Sequence, residues 1–182
     1  MLKSLEILVN EHRVIEQVLN WLEKMLERSV AEGKVEKEPA LQALDFFRTF
    51  ADRCHHGKEE AQLFPLIEKR GMGSPCGPVA VMLREHELGR LYIQSMTSVL
   101  DAASAGDPEA LRWFVQHGQS YVRLLREHIW KEDNCLFLNA ERALLTQDDQ
   151  QLRAAYEQFE AADLEPGIHE KYVGIANQLA TR

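Results

Sequence analysis

Basic stretches are missing from this chain. Its 182 residues carry 21 Lys and Arg against 29 Asp and Glu, a formal charge of −8, and no positive block interrupts that balance. Nucleic acid, whose affinity for proteins comes largely from Lys and Arg at phosphates, is disfavoured as a partner. Long apolar runs are missing too. None approaches the ~18–20 residues that a membrane span needs, and the start, Met-Leu-Lys-Ser-Leu-Glu, enters an amphipathic pattern with no signal-peptide core. Cysteine is scarce: Cys54, Cys76 and Cys135 are odd in number and lack CxxC spacing. That argues against a disulfide frame and for reduced thiols in a cytoplasmic protein with no membrane partner. Cys54 and Cys135 read as small core hydrophobes, and Cys76, among helix breakers, as the most reactive thiol. Period-two alternation is absent, so no strand is expected.

What is present is helical periodicity on a chain 45% hydrophobic, enough for one domain with a real core. Leu5, Leu8, His12, Ile15, Leu19, Leu22 and Leu26 recur at three- and four-residue steps, the seam of a long helix that fades near Gly33. A second helix starts at Pro39 and aligns Leu44, Phe47, Ala51, His55, Glu59, Leu63 and Leu66 on one face. The segment Gly71-Met-Gly-Ser-Pro-Cys-Gly-Pro78 ends it. A third helix carries Val79, Met82, His86, Ile93 and Leu100 together. Asp107-Pro108-Glu109 starts a fourth, with Phe114, Tyr121, Leu125, His128, Glu132 and Leu136 on one side. Thr146 opens a shorter helix, Pro166-Gly167 breaks it, and His169 to Ala180 forms the last. The expectation is an all-α, up-down-up-down four-helix bundle over residues 1–145, with short helices over 146–182 packed on it as an extension. Phe46, Phe50 and Phe64 point outward in this scheme, to lie under the tail or to form a dimer face. Monomer and homodimer both stay open.

One stretch occurs twice. His55-His56-Gly-Lys58-Glu59 with Leu63-Phe64 and Glu68-Lys69 returns as His128-Ile-Trp-Lys131-Glu132 with Leu136-Phe137 and Glu141-Arg142, a slip of 73 positions (128 − 55). A Glu-His pair precedes each copy, Glu11-His12 and Glu85-His86. A His and a Glu four apart lie one above the other on a helix. Helices one and three each turn a His inward; helices two and four each add a His and a Glu. Six inward polar groups would strain a core stable by only about 5–15 kcal/mol, and a metal cluster resolves that strain. Four imidazoles and two carboxylates suit first-row divalent metals, with Glu59 and Glu132 able to bridge two ions and room left for a solvent bridge. His56 and Glu60 lie about 100° round from this face on an ideal helix and read as neighbours of the ligands or as surface. Glu16, one turn after His12, is an added donor or a solvated residue. Tyr121 lines a ligand pocket or packs in the core. His117 reads as half-exposed, and His169 and Tyr172 as tail residues able to cover one end of the site. Arg90 is placed for a charge pair.

These motifs resemble the hemerythrin-like, or HHE cation-binding, family: Glu-His in helix one, His-x-x-x-Glu with Leu-Phe-Pro in helix two, Glu-His in helix three and His-Ile-x-Lys-Glu-Asp-Asn-x-Leu-Phe in helix four. The resemblance covers residues 1–145. It implies a bundle holding a non-haem di-iron site, with an oxo or hydroxo bridge and with Mn or Zn as lesser occupants. It implies His12, His55, Glu59, His86, His128 and Glu132 as ligands. It further implies a metal- and ligand-binding protein that binds or senses oxygen, nitric oxide, peroxide or iron and redox state. An oxidoreductase acting on peroxide or ferrous iron is the alternative, and a structural bundle holding zinc or nothing the third reading. Oxygen-carrying hemerythrins have another His four residues after the one in helix three, where this chain has Arg90, and an Asp where it has Glu132. The symmetric set of four His and two Glu found in bacterial relatives is therefore the expected one.

Overall fold

The computed structural model describes residues 1–74, 76–163 and 167–181. Among them there is no strand, and six helices follow one another. Helix α1 spans Lys3–Glu32 and stops where Gly33 turns left-handed at φ 73°, a conformation that costs glycine nothing. Helix α2 runs through residues 37–72, two residues earlier than Pro39 suggested, and closes at Gly71 with φ 96°. Helix α3 is Pro78–Ser104. Helix α4 covers residues 108–143; Asp107 caps it, its carboxylate accepting from the amides of Glu109 at 2.9 Å and Ala110 at 2.8 Å. Helices α5, Thr146–Asp163, and α6, Ile168–Ala180, complete the chain. Helices α1 to α4 form the antiparallel bundle. No helix among the described residues is long and apolar enough to cross a membrane. The expected break at Pro166, and Pro75 within the α2–α3 connection, lie outside the described residues.

Helices α2 and α4 are not uniformly α-helical. Phe47–His56 and Glu59–Leu63 in α2, and Glu132–Leu136 in α4, wind as π-helix. The amide of Phe64 reaches back five residues to the Glu59 carbonyl, and that of Phe137 to Glu132. These two turns keep the offset of the sequence repeat (132 − 59 = 73). Pro65 is not their cause, because Leu138 fills its place in the second copy and the wide turn persists. An i→i+5 turn holds more residues than an α turn, so successive side chains swing round by less than 100°.

The bundle interior is apolar at both ends and polar in between. One cluster gathers Leu19, Leu22, Phe46, Phe47, Phe50, Met96 and Phe114, and the other Leu5, Leu8, Leu63, Phe64, Met82, Leu136 and Phe137. The ionisable layer separates them. Gly118 on α4 lets α1 close in: a methyl group there would stand 2.7 Å from Leu26 Cδ2.

Helices α5 and α6 both lie against α1. The Ser4 amide, one of the unpaired donors at the start of α1, gives its hydrogen to Asp149 of α5 at 2.8 Å. Tyr172 Oη of α6 donates to Asp45 at 2.6 Å, and its ring meets Phe46 at 6.1 Å. Phe46, Phe50 and Phe64 are buried; the first two sit under the tail, beside Tyr172 and His169. Cys54 is buried as expected, but Cys135 is exposed with Cys76. The helical face assigned to Cys135 from an ideal α pattern is displaced by the π turn Glu132–Leu136.

Candidate metal centre

Each bundle helix delivers an imidazole to the polar layer at a position flanked by core residues: His12 between Leu8 and Ile15, His55 between Ala51 and Leu63, His86 between Met82 and Ile93, His128 between Leu125 and Leu136. Glu59 and Glu132, each fully buried, project from the π turns. The six residues singled out by the repeat therefore converge. The rings pair, His12 with His55 at 4.6 Å and His86 with His128 at 4.8 Å. Phe137 stacks on His12 at 5.6 Å and Phe64 on His86 at 5.9 Å, again 73 residues apart.

A carboxylate grips the outer nitrogen of every one of these rings. His12 Nδ1 meets Asp133 at 2.7 Å, His55 Nδ1 meets Glu11 at 2.9 Å, His86 Nδ1 meets Glu60 at 2.7 Å and His128 Nδ1 meets Glu85 at 3.0 Å. The holders are the residues next to the ligands in sequence, exchanged between helices: Glu11 precedes His12 but holds His55, and Glu85 precedes His86 but holds His128. Glu60 and Asp133 follow Glu59 and Glu132. Lysines anchor two holders, Lys58 on Glu11 and Lys131 on Glu85. Lys58 is buried completely and also reaches Glu160 of α5 at 2.7 Å. The repeated Glu-His and Lys-Glu pairs carried this signal, and sequence reasoning missed what they do.

With Nδ1–H committed to a carboxylate, each neutral ring turns an unprotonated Nε2 inward. His86 Nε2 and His128 Nε2 face each other at 3.1 Å, two lone pairs that repel unless a proton or cation lies between them. His12 Nε2, His55 Nε2 and all four carboxylate oxygens of Glu59 and Glu132 are buried without a hydrogen-bond partner. His12 Nε2 is 3.2 Å from Glu132, yet the two are not aligned on each other. Misalignment at contact distance is what donors aimed at a common third point display. Glu59 lies 3.6 Å from His55 Nε2 and 3.5 Å from His86 Nε2, while Glu132 lies 3.2 Å from His12 Nε2 and 3.3 Å from His128 Nε2. Each carboxylate thus spans both imidazole pairs. The donor set fits divalent metal.

The protonation states describe the same conflict. Burial and the facing Glu132 push Glu59 well above the carboxylate range. Glu132, equally buried, is pulled well below it by His128 and His12. Burial lowers His128, but Glu132 and Glu85 overcome it and leave it at about 9. Burial brings His55 down to about 4 against the pull of Glu11. Without a cation the pocket must hold protons to stay neutral, at the same atoms a metal would use.

The other sequence candidates separate. Glu16 is at the surface, bonded to Arg13 at 2.7 Å, and does not reach the layer. Tyr172 is held on Asp45 away from it. His169 is partly exposed, 3.8 Å from Glu11. His117 is half-buried against Trp113. Tyr121 is buried and lines a cavity of 440 Å³ between α2, α3 and α4, shared with His56, His86, Gly89 and His128. Arg90 pairs with Asp52 at 2.8 Å and Glu60 at 2.6 Å at its margin. His56 takes the first of the two places the sequence left open for it: it is buried in the layer as a neighbour of the candidate ligands, its donors close to those of Glu59, His86 and His128. The stretch that carries it, Phe47–His56, is π-helical.

The family model for the hemerythrin HHE cation-binding domain matches residues 3–140. The chain belongs to that family of cation-binding helical bundles. It is 25% identical over 132 residues to an uncharacterized protein of Mycobacterium tuberculosis (strain ATCC 25618 / H37Rv), a match covering 72% of this chain and 51% of that protein. It is 33% identical over 91 residues to the iron-sulfur cluster repair protein YtfE of Dickeya chrysanthemi, covering 48% of this chain and 41% of YtfE. The chain thus spans about half the length, or less, of these curated relatives. No solved structure matches it.

Proposed function

We propose that this chain holds two iron ions and uses them to bind or sense a small oxidant or diatomic molecule: oxygen, nitric oxide or peroxide. His12 and His55 would hold one ion, His86 and His128 the other, with Glu59 and Glu132 across both. The observation that carries the reading is the pair of Nε2 atoms facing at 3.1 Å beside four unpartnered carboxylate oxygens. Mixed imidazole and carboxylate donors suit iron or manganese, whereas closed zinc sites favour Cys and His, which disfavours a structural zinc bundle. Iron, once bound, supplies reversible one-electron chemistry and exchangeable coordination positions. The chain's own part is to orient the rings through their outer carboxylates and to exclude bulk water by the two apolar clusters. The 440 Å³ cavity supports access of a small molecule to the His86/His128 side. Residues 1–145 would form the centre and 146–182 its flanking cover, in a cytoplasmic protein with three unpaired thiols.

One observation favours the alternative of an oxidoreductase acting on peroxide or ferrous iron: Tyr121 faces the cavity, where a phenol can deliver a proton. Anaerobic ferrous protein exposed in turn to oxygen, nitric oxide and peroxide tests both. Ligand binding predicts a stoichiometric absorbance change in the near ultraviolet with no sustained consumption. Sustained turnover of peroxide or ferrous iron would establish the enzyme reading. A protein that takes up iron and responds to none of the three would contradict both.

A further inference from the structure

We infer that the 440 Å³ cavity between α2, α3 and α4 is a binding site for a neutral, mostly apolar organic molecule whose one polar head group hydrogen-bonds to Tyr121. The inference goes beyond the two-iron reading. It rests on the cavity wall and holds with or without metal.

Size and shape exceed what a gas molecule needs. One water takes up about 30 Å³, and a diatomic is of similar size. The cavity is more than ten times larger and falls in the range of organic-ligand pockets, about 300–1,000 Å³. Its α3 wall runs from His86 through Gly89 and Ile93 to Thr97, a helix face about 16 Å long at 1.5 Å per residue. Phe47, Ile93, Leu124 and Leu125 supply apolar side chains along it.

Charge decides the class of guest. Each charged residue of the described lining already has a partner. Arg90 binds Asp52 at 2.8 Å and Glu60 at 2.6 Å, and also Glu87. Arg48 binds Asp45 at 2.9 Å, and Glu85 is taken by Lys131 and His128. An anion or a cation entering the cavity would shed its water without gaining an unshared counter-charge, so a neutral guest is favoured.

The hydroxyls of Thr97 and Ser98 are satisfied as well, each bonded at 2.8 Å to a carbonyl of its own helix. Farther in, polar atoms stay open. His56 Nε2 is buried in the wall with no hydrogen-bond partner. The Tyr121 hydroxyl, on a residue 3% exposed, meets none among the described residues. A buried hydroxyl that opens on an apolar cavity is a fixed point for one head group. A guest held there stands in the route to the His86/His128 side.

Calorimetric titration of the full chain, metal-free and iron-loaded, tests this with 2-naphthalenemethanol as neutral probe and 2-naphthoate as its anionic counterpart. The alcohol should bind once per chain in both forms, and naphthoate at least about tenfold more weakly. Gly89→Leu, once circular dichroism shows it folded, should abolish binding of the alcohol. Tyr121→Phe should weaken the alcohol by about threefold or more and leave 2-methylnaphthalene unchanged. No binding to wild type, equal affinity for naphthoate, binding that survives Gly89→Leu, or an alcohol indifferent to Tyr121→Phe would overturn the inference. Protein that binds the alcohol but takes up no iron would remove the two-iron reading and leave this inference standing; iron uptake without alcohol binding does the reverse.

Discussion

Glu85 holds His128 at 3.0 Å across the interface of α3 and α4, and does so from the position immediately before His86. Glu11 does the same for His55 from the position before His12. Each dipeptide therefore serves two rings on two helices, giving one and orienting the other. Such a layer cannot tolerate loose helix register, because a shift of one residue would break both functions.

Removing a holder should weaken the metal without unfolding the bundle. Glu85 is half-buried, so Glu85→Gln leaves no sealed charge behind. Ferrous affinity should fall about 10–100-fold, measured by competition with a chelator, while the circular dichroism spectrum stays that of wild type. Equal affinity would show that the contact does not set the tautomer of His128.

Glu11 links the layer to acid stability. Burial opposes its charge, but His55 and Lys58 overcome that and bring it down to about 2 from 4.5. A carboxyl lowered on folding stabilises the native state above its unfolded value, and that contribution is lost as pH falls towards the folded value. In metal-free protein, the stability difference between wild type and Glu11→Gln should be largest above pH 4.5 and shrink between there and about 2. Urea unfolding over this range reads it; a difference that grows on acidification would contradict the assignment.

The layer is costly when empty. Glu59 is buried, faces Glu132 and has no partner for either oxygen. Glu59→Leu should raise the stability of metal-free protein by about 1–3 kcal/mol and abolish uptake of two ions. Denaturation in the presence of a chelator measures the first and metal analysis the second. A less stable metal-free variant would mean that Glu59 has a structural partner instead.

The cavity predicts a kinetic effect separate from binding. A Cβ on Gly89 would sit 3.6 Å from Tyr121 Cε2, an ordinary contact, so a larger side chain enters without pushing the backbone. Gly89→Leu should slow azide or nitric oxide binding to iron-loaded protein by about tenfold or more in stopped flow, at unchanged iron content. An unchanged rate would send the entry route elsewhere.

The helices, their capping at Asp107 and Gly33, and the six inward residues were legible because period and repeat agreed. His12, His55, Glu59, His86, His128 and Glu132 each recur on an apolar face and across the 73-residue slip. His56 lies buried beside His86, one of the two places the sequence left open for it, whereas Cys135 was misplaced because the reading assumed 100° per residue through the π turn Glu132–Leu136 of α4. The holders Glu11, Glu60, Glu85 and Asp133 were visible as motif letters. Their exchange between helices was not, because partner choice across a bundle depends on helix rotation rather than sequence neighbourhood. Glu160 and Tyr156 of α5, which surround Lys58, carried no signal beyond ordinary amphipathicity.

The central claim is that donors from four helices share one pair of cations. Anaerobic titration of metal-free protein with ferrous ion, followed by calorimetry and metal analysis, tests it most directly. The account predicts a break at two ions per chain, and loss of both strong sites in Glu59→Ala/Glu132→Ala. A break at one ion, or two ions retained by the double variant, would contradict it.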